Sequence, residues 1–404
     1  MRMGNSFLLG IRRVACVEAR AHYTRRMGHS AALLDKSVAG IAAKISQGLR
    51  IGRDEARWLW TNASDAEMRS LAATVRDRFH ERRSCTYMVM RIINYTNVCV
   101  AQCDYCAFYK LPTQDGGYVL SHDEVFAKLD ELLALGGDLA AFNGGFNPHL
   151  PLSYYCELFA AIRARYGDAL EFYALTIAEF MYLADHARLS YAEAAQRLKD
   201  AGVRWITGGG SEILTEEFRA RHSKFKYTVA EYFLAQRAIV EAGLKTTATM
   251  VIGFDETLEE RLEHLERTRQ FQDQLLSSNE QTGKNQTGGL ASFLCWTFKP
   301  YFTQLGGIEI STAEYLRHLA LCRIYFDNIP RIRTSVLTQN QQALEGLNYG
   351  ADDFDLPIED EVTQKAGATI SLDFERILNY ARELGYEPAY RHVSLGEPRW
   401  TDAS

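Results

Sequence analysis

The chain has no long apolar run, few cysteines and no surplus of positive charge, and each shortage excludes a class of protein. No stretch of its 404 residues approaches the roughly 18 to 20 apolar residues that a membrane-spanning helix needs. Its eight cysteines are few and unevenly spread, unlike the disulfide framework of a small secreted chain. The formal net charge of −6 argues against a general nucleic-acid binder. We therefore expect a cytoplasmic protein whose partners are neither a membrane nor a nucleic acid, although a nucleoside-like small molecule stays open as a substrate.

The first 28 residues differ from the rest in composition. Residues 1–28 are rich in arginine and poor in acids, with a short apolar run at 7–11. That run is short for the core of a secretory signal, and no convincing cleavage site follows it. We expect a poorly ordered extension or an over-called start site here, in preference to a targeting peptide.

Hydrophobic periodicity divides the remaining chain into two parts. Residues 29–84 repeat Ala, Leu and Ile at three- and four-residue spacing, which predicts an N-terminal helical segment. From 85 to 400, short β-rich runs alternate with amphipathic helical stretches, as in a parallel sheet with crossover helices. This length of alternation favours an α/β fold with a closed (β/α) barrel over an open sheet. A segment rich in Ser, Asn, Gln and Gly, 277–289, is predicted to be a mobile surface loop.

The predicted strands are Tyr87–Tyr95, Leu139–Phe142, Leu170–Leu175, Val203–Thr207, Lys245–Ile252, Ala291–Thr297 and Arg331–Leu337. Polar residues and glycines cluster after several of these strands. In a barrel, such strand ends form the catalytic face, so these clusters are expected to lie together. They are Asn143–Gly145, Thr176–Glu179, Gly208–Glu212 and Gly253–Glu256.

Three cysteines lie within eight positions, directly after the first predicted strand: Cys99, Cys103 and Cys106. Iron–sulfur clusters take thiolates that converge from one compact loop. Three thiolates for four irons leave one iron open, which the amino and carboxylate groups of S-adenosylmethionine can chelate. An electron from the cluster can then break the sulfonium C–S bond and give a 5′-deoxyadenosyl radical that abstracts hydrogen from a substrate. We predict a [4Fe–4S] cluster and S-adenosylmethionine as cofactors.

Other interpretations of the three cysteines were weighed. A zinc site usually needs four ligands, and no nearby His or Cys completes a tetrahedral set. A Cys-x-x-Cys redox pair would leave the third cysteine without a purpose. A non-catalytic iron–sulfur protein, used for electron transfer or sensing, is a further alternative.

Longer motifs carry a family resemblance over most of the chain, from about Ala42 to His392. They are Ile93–Cys99, Gly117–Ser121, Gly208–Leu214, Thr246–Met250, Trp296–Pro300, Asp327–Pro330 and Gly350–Phe354. With these motifs the chain resembles a group in the radical S-adenosylmethionine superfamily, which contains the two radical enzymes of the futalosine route to menaquinone and the two halves of deazaflavin synthase. The cyclic dehypoxanthine futalosine synthases match best.

The resemblance implies a cofactor site at the strand ends. Gly144 and Gly145 would meet the methionine amino group, since glycine permits close backbone approach. Glu179 would accept hydrogen bonds from the ribose hydroxyls. The alternatives are that the two glycines only make a βα turn and that Glu179 caps a helix. The other residues of the implied cofactor site are Tyr105, Asn143, Val251 and Glu256.

The sequence gives weaker signals for the residues that would contact the substrate. Glu212 and Asp255 are the catalytic candidates; Glu212 could grip a polar substrate or act as a base, or it could be an acid in the first turn of a helix. Trp296 could stack on a purine-like ring or pack in the core. Further candidates at strand ends are Ser335, Thr338 and Gln339. His222 and Lys224 lie in a charged stretch and are predicted to be solvated.

The resemblance implies hydrogen abstraction at ribose C4′ of dehypoxanthine futalosine, with a reductant protein such as flavodoxin or ferredoxin as partner. The alternative is a paralogue that performs the aminofutalosine or deazaflavin step, or acts on another nucleoside-like or aromatic substrate. The chain departs from the family pattern at Asn143, Thr176–Glu179, Phe254 and Asn340–Gln342. Phe254 stands where an imidazole is expected, which removes a titratable group. Cofactor cleavage should survive these changes, whereas the substrate is left open.

Overall fold

A barrel of eight parallel strands lies at the centre of the protein, in a computed structural model that describes residues 37–224, 226–282 and 289–392. The side chains of 279–282 are also outside the description. The predicted extension of residues 1–28 lies outside the described residues. From Val38 onward, the described residues form one compact unit that joins the N-terminal helices to the barrel.

The barrel closes because β1 pairs with both β2 and β8, and every pairing in the sheet is parallel. A ninth parallel strand pairs with the amino-terminal half of β1, whereas β2 pairs with the carboxyl-terminal half. The strands are β1 (Ser84–Ile93), β2 (Leu139–Phe142), β3 (Glu171–Thr176), β4 (Trp205–Thr207), β5 (Lys245–Ile252), β6 (Leu290–Thr297), β7 (Ile332–Thr334), β8 (Asp353–Pro357) and β9 (Glu387–Tyr390). The predicted (β/α) barrel is confirmed.

Helices surround the barrel, and several begin at a reciprocal cap in which a Ser or Thr pairs with a Glu three residues later. This local signal explains why the sequence periodicity located most helices to within a few residues. The helices are α1 (Val38–Ser46), α2 (Arg53–Asn62), α3 (Asp65–Arg76), α4 (His122–Ala134), α5 (Leu152–Tyr166), α6 (Ile177–His186), α7 (Tyr191–Asp200), α8 (Glu216–His222), α9 (Val229–Glu241), α10 (Leu258–Thr282), α11 (Thr312–Tyr325), α12 (Val336–Gln339), α13 (Glu361–Lys365) and α14 (Phe374–Glu383), with a 3₁₀ helix at Asn340–Tyr349.

The N-terminal helices pack on the outer helices of the barrel. Helix α3 packs against α11, and α2 packs against α10. Arg317 of α11 donates hydrogen bonds to the carbonyls of Trp60 and Ala63, at 2.7 and 2.6 Å, and so satisfies the end of α2. The helical segment is therefore joined to the barrel by a specific polar contact as well as by apolar packing.

Two strands, β8 and β9, are absent from the predicted set. In β8, Asp353 and Asp355 alternate with Phe354 and Leu356, and both aspartates are buried and ion-paired with arginines. Acidic residues are depleted in strands, so the segment has little strand propensity in isolation. Only its tertiary partners make it a strand.

Two boundaries also differ from the prediction. The strand predicted at Arg331–Leu337 ends at Thr334, because Ser335 caps the short helix α12. The loop predicted at 277–289 is partly wrong, since α10 continues to Thr282 and residues 283–288 lie outside the described residues. Within the described residues, no helix is long and apolar enough to cross a membrane.

Candidate active site

A cavity of about 300 Å³ opens at the carboxyl-terminal ends of the barrel strands. Its volume is at the lower end of the range for small-molecule sites. The three cysteines, Asn143, both glycines of the β2 end, Glu179 and Glu212 all line it, as do Trp296 and Thr338. The closed barrel therefore brings together residues that are as much as 239 positions apart, from Cys99 to Thr338.

The cysteines lie on the loop that follows β1, which we call the cluster loop (residues 94–110). The loop folds back on itself, because Cys99 N donates to Lys110 O at 2.9 Å and Lys110 N donates to Asn97 O at 2.8 Å. Burial raises the pKa of Cys103 to about 12 and also raises the pKa of Cys99 and of Cys106. Burial thus favours the neutral thiol form of each side chain.

The donor set fits an iron–sulfur cluster better than a single ion. Among the described residues, no group of three or more His, Cys, Asp and Glu side chains could hold one metal ion. The three thiols nevertheless face one cavity. A four-iron cluster takes each thiolate at a different corner, so its ligands stand apart. The thiols have weak backbone partners: Cys99 Sγ accepts from Ala101 N at 3.4 Å, and Cys103 Sγ donates to Ala101 O at 4.0 Å.

Gly144 and Gly145 lie against the cluster loop. A Cβ on Gly145 would meet the Val98 carbonyl oxygen at 2.2 Å, and one on Gly144 would meet the Tyr95 ring at 2.6 Å. Gly145 N donates to Thr96 O at 3.0 Å. Backbone packing against the cluster loop therefore requires glycine here, independently of any contact with a cofactor.

Glu179 is buried and accepts hydrogen bonds at both of its oxygens. Oε1 accepts from the Tyr95 hydroxyl at 2.6 Å and from Gly144 N at 2.7 Å, and Oε2 accepts from Thr176 N and Oγ1 at 2.9 and 2.6 Å. Burial raises the pKa of Glu179. The helix-cap interpretation is confirmed, and the same carboxylate lies in the cavity wall beside Gly144.

Glu212 forms a buried ion pair with Lys226, a residue that the sequence analysis missed. Lys226 Nζ lies 3.0 and 3.1 Å from the Glu212 oxygens and 3.0 Å from the Tyr105 hydroxyl. Burial acts to lower the pKa of Lys226, but Glu212 and Cys103 together outweigh burial and the pKa is raised. Glu212 has a left-handed φ of 40° after three glycines, a backbone conformation that is uncommon for this residue type. No motif or spacing marked Lys226, because one partner, Glu212, is 14 residues away in the β4–β5 connection and the other, Tyr105, lies in the cluster loop.

Asp255, predicted as a catalytic candidate, does not line the cavity but contacts His222 beside it. Its Oδ1 is 2.7 Å from His222 Nε2, and His222 Nδ1 is 2.9 Å from Asp104 Oδ2 in the cluster loop. The prediction that His222 is solvated is wrong, since its side chain is only 5% exposed between these two carboxylates. Lys224 is exposed, as predicted.

The remaining cofactor candidates divide between the cavity and the turn after β5. Val251 lines the cavity, as does Tyr105, whose ring also packs 5.3 Å from that of Phe254. Glu256 does not line it: its buried carboxylate accepts from Gly253 N and Phe254 N at 2.9 and 2.8 Å. Glu256 therefore holds the turn on which Phe254 reaches the cavity.

Of the predicted substrate-binding residues, some line the cavity and others lie behind its wall. Trp296 is half-buried in the cavity wall, and Thr338 lies beside it. Gln339 does not line the cavity: its Nε2 donates to Thr297 Oγ1 at 2.9 Å, and its Oε1 accepts from Thr312 Oγ1 at 2.9 Å. Ser335 is buried as the cap of α12. Gln339 and Ser335 thus support the wall without lining the cavity.

The sequence analysis also missed Arg333 of β7 and Asp355 of β8, which line the cavity as an ion pair at 3.0 Å. The alternation of aspartate with apolar residues in β8 was the available signal, because it places both acids on one face of a strand.

Comparison with known proteins identifies relatives of the whole chain. The model of the Radical SAM superfamily matches residues 93–268, and that of the CofH/MqnC C-terminal region matches residues 287–401. The cyclic dehypoxanthine futalosine synthase of Halalkalibacterium halodurans is 33% identical over 361 residues, covering 89% of this chain and 94% of that protein. The aminodeoxyfutalosine synthase of Thermus thermophilus is 32% identical over 342 residues, covering 83% and 88%.

Solved structures share the fold at lower identity. Methylornithine synthase superimposes with a TM-score of 0.65 at 16% identity, covering 88% of this chain and 98% of that one. An FeFe-hydrogenase maturase from Carboxydothermus hydrogenoformans gives a TM-score of 0.67 at 16% identity, covering 96% and 85%. These similarities concern the barrel and its surrounding helices.

Proposed function

Since the chain belongs to the radical SAM superfamily, and to the futalosine group of its enzymes, we propose that it cyclises dehypoxanthine futalosine after hydrogen abstraction at ribose C4′. The observation that carries the proposal is one cavity with three thiols on its wall and polar strand-end residues beside them. The chain is similar to a synthase of that name over almost the full length of both proteins.

In this proposal Cys99, Cys103 and Cys106 hold a [4Fe–4S] cluster, because thiolates are the ligands of such clusters and all three line the cavity. When bound there with S-adenosylmethionine, such a cluster would supply a 5′-deoxyadenosyl radical for hydrogen abstraction from the substrate. Gly144, Gly145 and the cavity face of Tyr105 form the cofactor side of the site.

The pair of Glu212 and Lys226 suits the charged amino-acid end of the cofactor. An ammonium group attracts a carboxylate and a carboxylate attracts an amino group, and both partners are held in place by their mutual contact at 3.0 Å. Asn143, Glu179 and Val251 complete this side of the wall. Glu179 acts mainly by holding the Gly144 backbone in place, since its Oε1 accepts a hydrogen bond from Gly144 N at 2.7 Å.

On the substrate side, Trp296 offers an aromatic surface, and Thr338 lies next to it in the wall. Mostly apolar lining keeps water from the reacting atoms, which protects a radical from side reactions. In the proposed cyclisation the substrate loses one hydrogen atom to the 5′-deoxyadenosyl radical, which becomes 5′-deoxyadenosine. The ring then closes, one proton leaves to solvent, and one electron passes to a one-electron acceptor such as the oxidised cluster. The electron that starts each cycle is proposed to come from a reductant protein such as flavodoxin or ferredoxin.

The test is an anaerobic assay of the reconstituted enzyme with dithionite, S-adenosylmethionine and dehypoxanthine futalosine. Mass spectrometry should detect 5′-deoxyadenosine together with a cyclised product that depends on substrate. Formation of 5′-deoxyadenosine with the substrate unchanged would contradict the proposed reaction while leaving the cofactor chemistry intact.

Cys103→Ala is the internal check on the metal site. The variant should lose most of its iron and all turnover, because a cluster needs each of the three thiolates. Cys156→Ala is a matched control, since Cys156 is half-buried on α5, far in sequence from the cluster loop. Full turnover in Cys103→Ala would disprove the metal assignment.

A second candidate reaction is the aminodeoxyfutalosine step. The Thermus thermophilus synthase of that name has nearly the same identity to this chain, 32%, as the cyclising relative. Phe254 also packs against Phe298, with ring centroids 4.6 Å apart, and gives the cavity an apolar wall where the resemblance implies an imidazole. The same assay with the aminodeoxyfutalosine synthase substrate decides between the two reactions.

A further inference from the structure

The charges that face the cavity are not equally satisfied. Among the described residues, three cationic side chains line it: Lys226, Lys299 and Arg333. Lys226 donates to both oxygens of Glu212, and Lys299 is paired with Glu309. Arg333 differs, because its guanidinium has five N–H groups and the protein supplies fewer acceptors than that.

Arg333 lies in the middle of β7 and is only 4% exposed. Its Nη2 donates to Asp355 Oδ1 at 3.0 Å and contacts Met90 Sδ at 3.8 Å. Its buried Nε forms no hydrogen bond, and within the part of the chain that the structure describes none is formed by Nη1 either. Buried guanidinium groups normally direct their N–H groups at acceptors, so this side chain is poised for a ligand.

The neighbouring carboxylates do not satisfy Arg333. Asp353 Oδ2 lies 3.5 Å from Arg333 Nε, but it accepts from Arg391 Nη2 at 2.6 Å. Asp353 Oδ1 accepts from the Thr86 hydroxyl at 2.5 Å. Burial raises the pKa of Asp355, although its ion pair with Arg333 acts in the opposite direction. Arg333 therefore forms one short ion pair, with Asp355, and keeps N–H groups available for a further acceptor.

The wall that surrounds Arg333 is apolar and aromatic. Met90, Leu294, Tyr173 and Trp296 line the same cavity. The register pairs Arg333 with Leu294 of β6 and with Asp353 of β8, whereas the cysteines follow the carboxyl end of β1. The cationic group is thus at the inner end of the cavity, away from the mouth that carries the cluster loop.

We propose that Arg333 is a carboxylate-binding residue that sets substrate specificity, so that the substrate is an apolar or aromatic molecule with a carboxylate at its inner end. A guanidinium binds a carboxylate through charge-assisted hydrogen bonds, and the low-dielectric wall strengthens them. The carboxylate orients the substrate with its other end toward the cluster loop. This inference rests on the proposed function, since it concerns the substrate of the same cavity.

The test measures binding of benzoate and of benzyl alcohol to the reconstituted enzyme by NMR titration. These probes share an aromatic ring and differ in charge. Wild type should bind benzoate more tightly, and Arg333→Met should lower the benzoate affinity roughly ten- to hundredfold while leaving benzyl alcohol unchanged. Arg331→Met is the matched control, because Arg331 precedes the same strand without lining the cavity. No preference in wild type, or the same preference in Arg333→Met, overturns the proposal.

Asp355→Asn covers the case in which Arg333→Met does not fold. This variant removes a competing negative charge, so benzoate should bind more tightly than in wild type, and an unchanged affinity overturns the proposal. With dehypoxanthine futalosine as substrate, Arg333→Lys should raise KM about tenfold with little change in kcat, as expected for lost substrate binding. Benzoate binding does not require turnover, so a failed cyclisation assay and a failed carboxylate site are distinguishable.

Discussion

At the scale of single residues, Lys226 determines the charge of the cavity wall beside the thiols. It is buried, yet it stays charged because Glu212 lies 3.0 Å away and the Tyr105 hydroxyl lies at the same distance. An ion pair of this kind needs both partners, since either one alone would be an uncompensated buried charge. The pair therefore contributes to folding, and in the proposed function it also binds the cofactor.

Lys226→Met tests this residue. We expect S-adenosylmethionine to bind about tenfold more weakly, because the cavity loses a cation beside Cys103. We also expect the free energy of unfolding to fall by about 3 kcal/mol, because Glu212 is left buried without its partner. Equilibrium dialysis and urea unfolding measure the two effects.

Lys224→Met is the control for the same stretch of chain, since Lys224 is exposed. Lys224→Met should change neither the affinity for S-adenosylmethionine nor the free energy of unfolding. Unchanged cofactor affinity in Lys226→Met would show that the ammonium group plays no part in binding.

At the scale of elements, the cluster loop is held by backbone contacts with the strand end next to it. Val100 N donates to Phe146 O at 3.1 Å, and Gly145 N donates to Thr96 O at 3.0 Å. On the other side, Leu305 N donates to Asp104 O at 2.8 Å. The loop that carries the thiols is therefore positioned by two other loops, through main-chain groups that no side-chain pattern reveals.

Gly145→Ala tests this packing. The new Cβ would lie 2.2 Å from Val98 O and 2.7 Å from Cys99 Cβ, and backbone cannot yield as a flexible side chain would. We expect most of the iron to be lost after reconstitution while the circular dichroism spectrum is kept, because the displacement affects the loop and not the barrel. Iron analysis and the visible absorption spectrum check the result.

Gly52→Ala is the matched control. Gly52 precedes α2 with φ of −95°, and a Cβ there meets only Glu55 Oε2, at 3.8 Å. Normal iron content is expected. If Gly145→Ala also binds iron normally, the close approach of the two loops is not needed for the thiol arrangement.

At the scale of the whole molecule, a buried ion pair joins the outer helices to the barrel strands. Arg323 of α11 donates to Asp352, which also accepts from Ile332 N at 3.0 Å. His80, just before β1, lies 3.2 Å from the other Asp352 oxygen. Burial works against the charge of Asp352, but Arg323 and His80 outweigh it and hold the pKa of Asp352 below its ordinary value of 3.8.

The lowered pKa of Asp352 predicts how the stability of Asp352→Asn differs from wild type at each pH. A carboxyl with a lowered pKa in the folded state contributes stability above the unfolded-state pKa, and loses it as pH falls through the folded-state pKa. At pH 7 the variant should be less stable than wild type by about 3 to 5 kcal/mol. The difference should shrink below about pH 4. Urea unfolding at several pH values measures it.

Asp115→Asn, at an exposed residue, is the control and should follow the wild-type stability at every pH. A gap between Asp352→Asn and wild type that is constant with pH would mean that the Asp352 charge does not contribute to stability.

The sequence by itself determined the barrel and the cysteine loop. The periodicity of apolar residues in a strand is a local pattern, so the bounds of β2 and β5 were predicted to the residue. Helix starts are also marked locally, by a Ser or Thr cap with a Glu three residues later. The spacing of Cys99, Cys103 and Cys106 is local too, because one loop must supply all three thiols. Strand ends of a parallel barrel meet at one face, which is why Glu179 and Glu212 were found.

Only the tertiary structure decided which charges face the cavity and which support it. Lys226 and Arg333 line the cavity beside Glu212 and Asp355, whereas Asp255 instead contacts His222 outside the wall. Strand β8 depends on the same partners, since its aspartates are stable inside the barrel only with arginines opposite them. The physical reason is that the cost of burying a charge depends on groups from distant parts of the chain, which a sequence pattern does not specify.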